Sequence, residues 1–173
     1  MEDGSAATPV ESGRIDGWRE FQERFKATLA LAAQSPGECR WVDVDFARWP
    51  LGELAVTELL QRWMRQHGGA SMTLLAGHHE VLQREHPRWL SWRQTWSHRV
   101  HCWLASDEIV ADLRPMFLWR NRERDIAGIR LLDSVTAVGQ WTTDPAVLAL
   151  WQADFDAYLQ RSSEGMPCTT LGL

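Results

Sequence analysis

The sequence predicts a single α/β domain, built on a mostly parallel sheet with helices on both faces and a C-terminal strand pair plus helix. Segments typical of strands alternate with segments typical of amphipathic helices, an order that favours a parallel sheet covered on its faces. The length of 173 residues is that of one domain. Eleven tryptophans, from Trp18 to Trp151, carry more apolar surface than a disordered chain could hide.

The elements of the first half follow from periodicity and turn residues. Apolar residues recur at near-helical spacing over 18–33, which predicts a first amphipathic helix. RWVDVDF at 40–46 alternates polar and apolar residues and is typical of a strand. A strong helical pattern covers 52–66, and the short apolar run at 71–77 predicts a second strand.

The middle of the chain continues the alternation and then becomes ambiguous. The helical pattern at 78–96 contains Pro87, which either kinks one helix or begins a second one. RVHCWLA at 99–105 predicts a third strand. We interpret 106–125 as a short helix followed by an irregular, charged stretch.

The last part of the domain contains two closely linked strands and a final helix. IRLLD at 129–133 and VTAVGQW at 135–141 predict the strand pair. Asp144 is a suitable cap for the helix that follows, and Pro145 suits its first position. The predicted organisation is a flexible N-terminal segment (1–14), a single α/β domain (15–162) and a C-terminal tail (163–173).

Composition excludes several classes of function. The formal net charge of −5 gives no general attraction to nucleic-acid phosphates or anionic lipids. No segment has the ~20 uninterrupted apolar residues of a membrane helix, and the acidic N-terminus is unlike a signal peptide. Three cysteines without Cys-x-x-Cys spacing argue against a disulfide framework and a zinc ribbon. We therefore expect a cytoplasmic, bacterial protein that binds neither membranes nor nucleic acid.

Basic residues are concentrated in the middle of the chain, which predicts a local cationic surface on an acidic protein. Arg88, Arg93, His98 and Arg99 form the predicted site for an anionic or phosphate-bearing ligand. Trp89, Trp92 and Trp96 are interleaved with these basic residues, an arrangement that would suit stacking on single-stranded nucleic acid. Their i, i+3, i+7 spacing is also that of a buried helix face, and we favour the buried face.

Polar residues also follow the three predicted parallel strands, at the edge where α/β sheets bind ligands. Asp45 follows the first strand, His78 and His79 the second, and Asp107 the third. Carboxylates and imidazoles that converge there would bind a divalent metal or carry out acid–base chemistry. The simpler interpretation is that Asp45 caps a loop and that the histidines are solvated. An alternative function, a metal- or acid–base-dependent hydrolase, depends on these four residues.

The stretch 128–160 resembles the carboxyl half of a phospholipase D-like domain. In that family a strand ends in Asp, a second strand ends in Gly, and a helix begins near Asp-Pro. Asp133, Gly139 and Asp144-Pro145 stand at those positions. The preceding strand–helix units also suit this fold, so the resemblance covers about residues 18–160.

The resemblance also implies which chemistry to look for. The family's reaction needs a His nucleophile, a Lys two residues later and an Asp five residues after that. With Asp133 as the Asp, Ile126 stands at the His position and Gly128 at the Lys position, and the step to Gly139 is one residue short. Isoleucine cannot attack phosphorus, and glycine cannot neutralise a phosphate. The resemblance therefore implies a single, catalytically degenerate domain.

The favoured function is a non-catalytic binding or interaction module, whose partner is a protein or an anionic ligand. The chain has no Gly-rich phosphate loop and no Gly-x-Ser-x-Gly elbow, which argues against a nucleotide site and a serine hydrolase, and we expect no cofactor. It also lacks a closed set of Cys and His ligands, so we expect no bound metal.

Overall fold

The computed structural model describes residues 9–123 and 126–166. That part of the chain forms eight strands and five helices. The strands are β1 (Ser12–Asp16), β2 (Gly37–Asp43), β3 (Ser71–Ala76), β4 (Val100–Ala105), β5 (Met116–Asn121), β6 (Ile126–Asp133), β7 (Val138–Thr142) and β8 (Ser162–Glu164). The helices are α1 (Trp18–Ala32), α2 (Leu54–Gln66), α3 (Glu80–Glu85), α4 (Pro87–Thr95) and α5 (Pro145–Gln160).

The eight strands form one mixed sheet, in the order β1-β7-β6-β5-β2-β3-β4-β8. Of the seven pairings in the described chain, only those of β2 with β3 and of β3 with β4 are parallel. The other five pairings are antiparallel. The prediction of a single α/β domain agrees with this sheet, but the prediction of a mostly parallel sheet was wrong.

Strand β5 accounts for two of the five antiparallel pairings. It lies at the centre of the sheet between β2 and β6, antiparallel to both, within the segment that we predicted to be a short helix and an irregular stretch. Its first four residues, Met116–Trp119, are all buried. A strand that is buried on both faces has no polar–apolar alternation, so the period that reveals other strands is missing from its sequence.

The two faces of the sheet have separate cores. On one face, α1, α2, α3 and α4 bury apolar side chains around Phe25, Trp41 and Phe117. On the other face, Trp151 and Phe155 of α5 pack with residues of the central strands. The prediction of helices on both faces is therefore confirmed, with four helices on one side and one on the other in the described chain.

Tryptophans make up much of the first core. Trp41, Trp49, Trp63 and Trp89 are at most 2% exposed, and Phe25 contacts two of these indoles edge-on. Trp89 and Trp92 of α4 are buried, and Trp96, the residue after the helix, is half-buried against the same core. The buried-face interpretation is thus confirmed for Trp89 and Trp92.

Two local predictions about helix starts are confirmed. Asp144 caps α5, since its Oδ1 accepts a hydrogen bond from the Ala146 amide at 2.9 Å, and Pro145 occupies the first helical position. Pro87 begins α4 as a second helix and does not kink a single one.

The ends of the described chain add edge strands to the sheet. Residues 12–14, which we assigned to the flexible lead-in, belong to β1 and pair with β7. Residues 163–164, assigned to the tail, belong to β8 and pair with β4. The rest of the predicted lead-in before residue 9, and the rest of the tail after residue 166, lie outside the described residues. Among the described helices, none has both the length and the apolar character that a membrane crossing needs.

Candidate functional site

The carboxyl ends of β2, β3 and β4 form one edge of the sheet. The sequence predicted a binding or catalytic site at this edge, made of Asp45, His78, His79 and Asp107. The loop after β2 is closed by its own carboxylates. Asp43 accepts hydrogen bonds from the Val44 amide at 2.7 Å and from the Trp49 indole N–H at 3.0 Å. Asp45 accepts one from the Ala47 amide at 2.9 Å, so it holds a turn, as the simpler interpretation expected. Burial raises the pKa of Asp43 to about 6.

The other predicted residues at this edge do not share one environment. His79 is buried, and its Nε2 lies 3.3 Å from the Trp103 carbonyl oxygen. Burial lowers the pKa of His79, which favours a neutral imidazole. His78 and Asp107 are exposed.

Close packing around Gly77, just after β3, leaves little space at this edge. A Cβ at Gly77 would lie 3.0 Å from Val110 Cγ1 and 3.1 Å from the Val44 carbonyl oxygen. Within residues 9–123 and 126–166, no three His, Cys, Asp or Glu side chains are arranged to hold a metal ion. The hydrolase site at this edge stays a prediction.

The predicted anion-binding residues are placed apart. Arg88 donates to the Gly52 carbonyl at 3.0 Å, just before α2, whereas Arg99 donates to the His67 carbonyl at 2.8 Å, just after it. A helix of 13 residues is roughly 20 Å long, so these two guanidiniums bind opposite ends of α2. Arg93 is buried near His79, and His98 is exposed. Arg88 and Arg99 therefore complete the backbone hydrogen bonding of α2 and its flanking turns.

A groove on the opposite side of the fold has a different character. It lies at the amino ends of β2 and β6, between the sheet and the first turns of α5, and has a volume of about 280 Å³. Residues that face each other on neighbouring strands project to the same side of a sheet. The floor of the groove therefore consists of two such cross-strand rows, Ile126–Arg120–Glu38 and Gly128–Leu118–Arg40. The wall contributed by α5 contains Pro145, Leu148, Ala149 and Gln152.

The inner end of this groove is closed above Gly128. A Cβ at Gly128 would lie 2.5 Å from Leu148 Cδ2 and 3.1 Å from both Leu118 Cδ2 and Trp151 Cε3. Real Cβ atoms do not approach that closely, so a side chain at this position would have to displace the end of the Leu148 side chain. Leu148 and Trp151 are only 6% and 7% exposed, which leaves them little room to move away.

The polar side of the groove is an ion-pair cluster around Glu38. Its Oε1 accepts from Arg40 Nε at 2.8 Å, and its Oε2 accepts from Arg120 Nη2 at 3.0 Å. Burial opposes the ionisation of Glu38, but the hydrogen bonds and charges of Arg40 and Arg120 outweigh it and lower the pKa of the carboxyl. Arg40 also donates to Asp156 on α5 at 2.7 Å, which ties the helix to the sheet.

Asp133, at the end of β6, closes the turn into β7. Its Oδ1 accepts from the Val135 amide at 2.9 Å, and its Oδ2 accepts from the Thr136 hydroxyl at 2.7 Å. These hydrogen bonds lower the pKa of Asp133, so the carboxylate is ionised and engaged in the turn.

Comparison with known proteins finds similar folds but no similar sequences. No family model and no curated protein matches the sequence. Among solved structures, Nuc from Salmonella typhimurium, described as a phospholipase D family member, is similar at a TM-score of 0.55 and 6% identity. That similarity covers 90% of this chain and 99% of Nuc. NucT from Helicobacter pylori is similar at a TM-score of 0.52 and 7% identity, over 91% of this chain and 100% of NucT.

The chain has a phospholipase D-like fold. The resemblance stated from residues 128–160 is thereby confirmed at the level of the fold. Ile126, which the resemblance equates with the family's His, lines the groove at the amino ends of β2 and β6. Gly128, which the resemblance equates with the Lys, lies two residues further along β6 and pairs with Leu118.

Sequence reasoning missed Glu38, Arg40, Arg120 and Leu148 as residues of the groove. One usable signal was present in β2, where charged Glu38 and Arg40 alternate with buried Cys39 and Trp41. Arg120 had no such signal, because β5 was not predicted to be a strand.

Proposed function

We propose that this protein is a non-catalytic binding module of the phospholipase D-like fold. Its binding surface is the groove between α5 and the amino ends of β2 and β6. A cytoplasmic location in a bacterium is part of the proposal, and the cysteine pattern of the sequence supports a reducing compartment.

The observation that carries the proposal is the closure above Gly128. Phosphodiester cleavage by this family requires a nucleophile and, two residues later, a cation that stabilises charge on the phosphoryl oxygens. Here Leu148 Cδ2 lies 2.5 Å from the point where a Cβ at position 128 would be. Gly128 supplies no cation, the end of the Leu148 side chain occupies the space beside it, and Ile126 supplies no nucleophilic atom. The groove also contains Arg40 and Arg120, but a guanidinium cannot serve as the nucleophile. Both of these arginines bind Glu38.

An anionic partner remains part of the proposal, but the geometry favours the groove over the predicted arginine site. Arg88 and Arg99 already donate to backbone carbonyls at opposite ends of α2. The hydrolase alternative has less support, because Asp43 and Asp45 accept hydrogen bonds within their own loop.

The proposal is tested by hydrolysis assays on bis-(p-nitrophenyl) phosphate and phosphatidylcholine vesicles, each with and without Zn²⁺ or Mn²⁺. We expect no turnover above that of buffer with the same metal. Three variants test where any turnover would arise. His98→Ala and His101→Ala, both at exposed positions, test the middle of the chain, and Asp45→Asn tests the carboxyl ends of the parallel strands. Turnover by the wild type that one of these variants abolishes would refute the non-catalytic assignment.

A further inference from the structure

A second groove lies between α2 and α4, on the face of the sheet opposite α5. The two helices lie side by side and run in the same direction. Arg88, at the start of α4, donates to the Gly52 carbonyl just before α2 at 3.0 Å. The indole N–H of Trp96, just after α4, donates to Gln61 Oε1 in the second half of α2 at 2.7 Å. This α2–α4 groove has a volume of about 670 Å³ and follows both helices.

Positive charge is concentrated around the α2–α4 groove. Residues 59–79 and 86–106 contain no Asp or Glu, although the whole chain carries a net charge of −5. Glu58 is the only acid among the lining residues. The four arginines along the groove are Arg62 and Arg88, which line it, and Arg65 and Arg99, which lie at the carboxyl end of α2.

The positive charge of these four arginines is not balanced by neighbouring acids. Within residues 9–123 and 126–166, none of the four forms an ion pair. Two acids near the start of the groove are already paired, Glu53 with Lys26 and Glu85 with Arg84. Four guanidiniums and the single carboxylate of Glu58 therefore leave an excess of three positive charges on this surface.

The spacing of the arginines suits an extended ligand. Arg88 and Arg99 donate to backbone carbonyls at opposite ends of α2, roughly 20 Å apart, and neutral carbonyls leave their charges in place. This distance is too long for one small anion to contact both guanidiniums. An extended chain covers about 3.3 Å per residue, so six or seven residues span the distance.

We propose that the α2–α4 groove binds an acidic, extended segment of a partner protein, whose carboxylates accept hydrogen bonds from the four arginines. This surface is separate from the groove beside α5, so the inference does not depend on what that groove binds.

The groove suits an acidic protein segment better than nucleic acid or a membrane. Single-stranded nucleic acid is bound by stacking on exposed aromatic rings, but Trp92 is only 6% exposed and the guanidinium of Arg99 covers the ring of Trp96 at 4.7 Å. Binding at a membrane surface uses a basic face with several apolar anchors, and Leu54 is the only strongly exposed large apolar residue among those lining the groove.

The first experiment measures fluorescence anisotropy of labelled octa-glutamate, whose eight residues span about 25 Å when extended, on titration with the purified protein. We expect binding that weakens about tenfold when NaCl rises from about 50 mM to about 300 mM, because salt screens exposed charges. An uncharged (Gly-Ser)4 peptide and the oligonucleotide dT8 are the comparison probes. Absence of octa-glutamate binding, equal binding of (Gly-Ser)4, or tighter binding of dT8 would each overturn the proposal.

Variants at exposed helix positions locate the binding. Arg62→Gln should weaken octa-glutamate binding about threefold, and Arg62→Gln with Arg65→Gln about tenfold. Arg14→Gln with Arg19→Gln removes the same charge from side chains that are 71% and 92% exposed and lie outside the groove. This matched control should bind like the wild type.

Glu58→Gln makes the test independent of any loss of folding. Removing the only acid that lines the groove should strengthen octa-glutamate binding about threefold. Weaker binding by Glu58→Gln, or an equal loss in the Arg14 and Arg19 control, would show that the α2–α4 groove is not the site. Co-sedimentation of the wild type with phosphatidylserine vesicles that Arg62→Gln with Arg65→Gln abolishes, without octa-glutamate binding, would assign the surface to a membrane and refute the proposal.

Discussion

Closure of the groove above Gly128 predicts a specific energetic coupling between Gly128 and Leu148. The perturbation is Gly128→Ala, made once in the wild type and once in Leu148→Ala. In the wild type the new methyl would lie 2.5 Å from Leu148 Cδ2. In the Leu148→Ala background that atom is gone, and the methyl enters the cavity that the truncation leaves.

The magnitude follows from two opposing effects. Overpacking of a buried site costs about 1–3 kcal/mol, and replacing glycine by alanine within a strand returns about 0.5–1 kcal/mol. Gly128→Ala should therefore destabilise the wild type by about 0.5–2 kcal/mol. Leu148→Ala alone should cost about 2–5 kcal/mol, because Leu148 is only 6% exposed. In that background Gly128→Ala should be neutral or stabilising, which gives a coupling energy of about 1–3 kcal/mol.

The assay is urea unfolding of the wild type, the two single variants and the double variant, monitored by tryptophan fluorescence. Gly139→Ala is the matched control. Its Cβ would clash with the Arg130 carbonyl oxygen, a backbone atom that Leu148→Ala does not move away. If Gly128→Ala costs the same in both backgrounds, Leu148 does not close this position, and the main support for a non-catalytic groove is lost.

Two further predictions concern the packing of α5 and a buried carboxyl. Trp151→Ala should cost about 3–5 kcal/mol in urea unfolding, because Trp151 is 7% exposed; a loss below about 1 kcal/mol would mean that α5 is not docked as described. Burial raises the pKa of Asp43 to about 6, above its value of about 3.9 in an unfolded chain, so the native state binds the proton more tightly. The stability of the wild type relative to Asp43→Asn should therefore fall as the pH rises from about 4 to about 6, by up to about 3 kcal/mol, and a flat difference would contradict the raised pKa.

Local features of the fold were accessible from the sequence. The starts of α4 and α5 were predictable because Pro87, Asp144 and Pro145 act on the backbone of their own turn. The β6–β7 pair and the resemblance of residues 128–160 were accessible for a similar reason, since the two strands are neighbours in the sequence. The predicted site residues were less informative, because carboxylates and arginines in loops satisfy backbone groups as readily as they bind ligands.

The sequence by itself determined the alternation of helices and strands, the buried tryptophans and the absence of a nucleophile and a cation at Ile126 and Gly128. Only the tertiary structure decided the direction of the strands, because pairing of β5 with β2 joins segments about 80 residues apart that share no local signal. It alone decided that Leu148 fills the space above Gly128 and that Arg120 meets Glu38 across the sheet. Periodicity shows which face of an element is buried, whereas a binding groove depends on which distant faces are brought together.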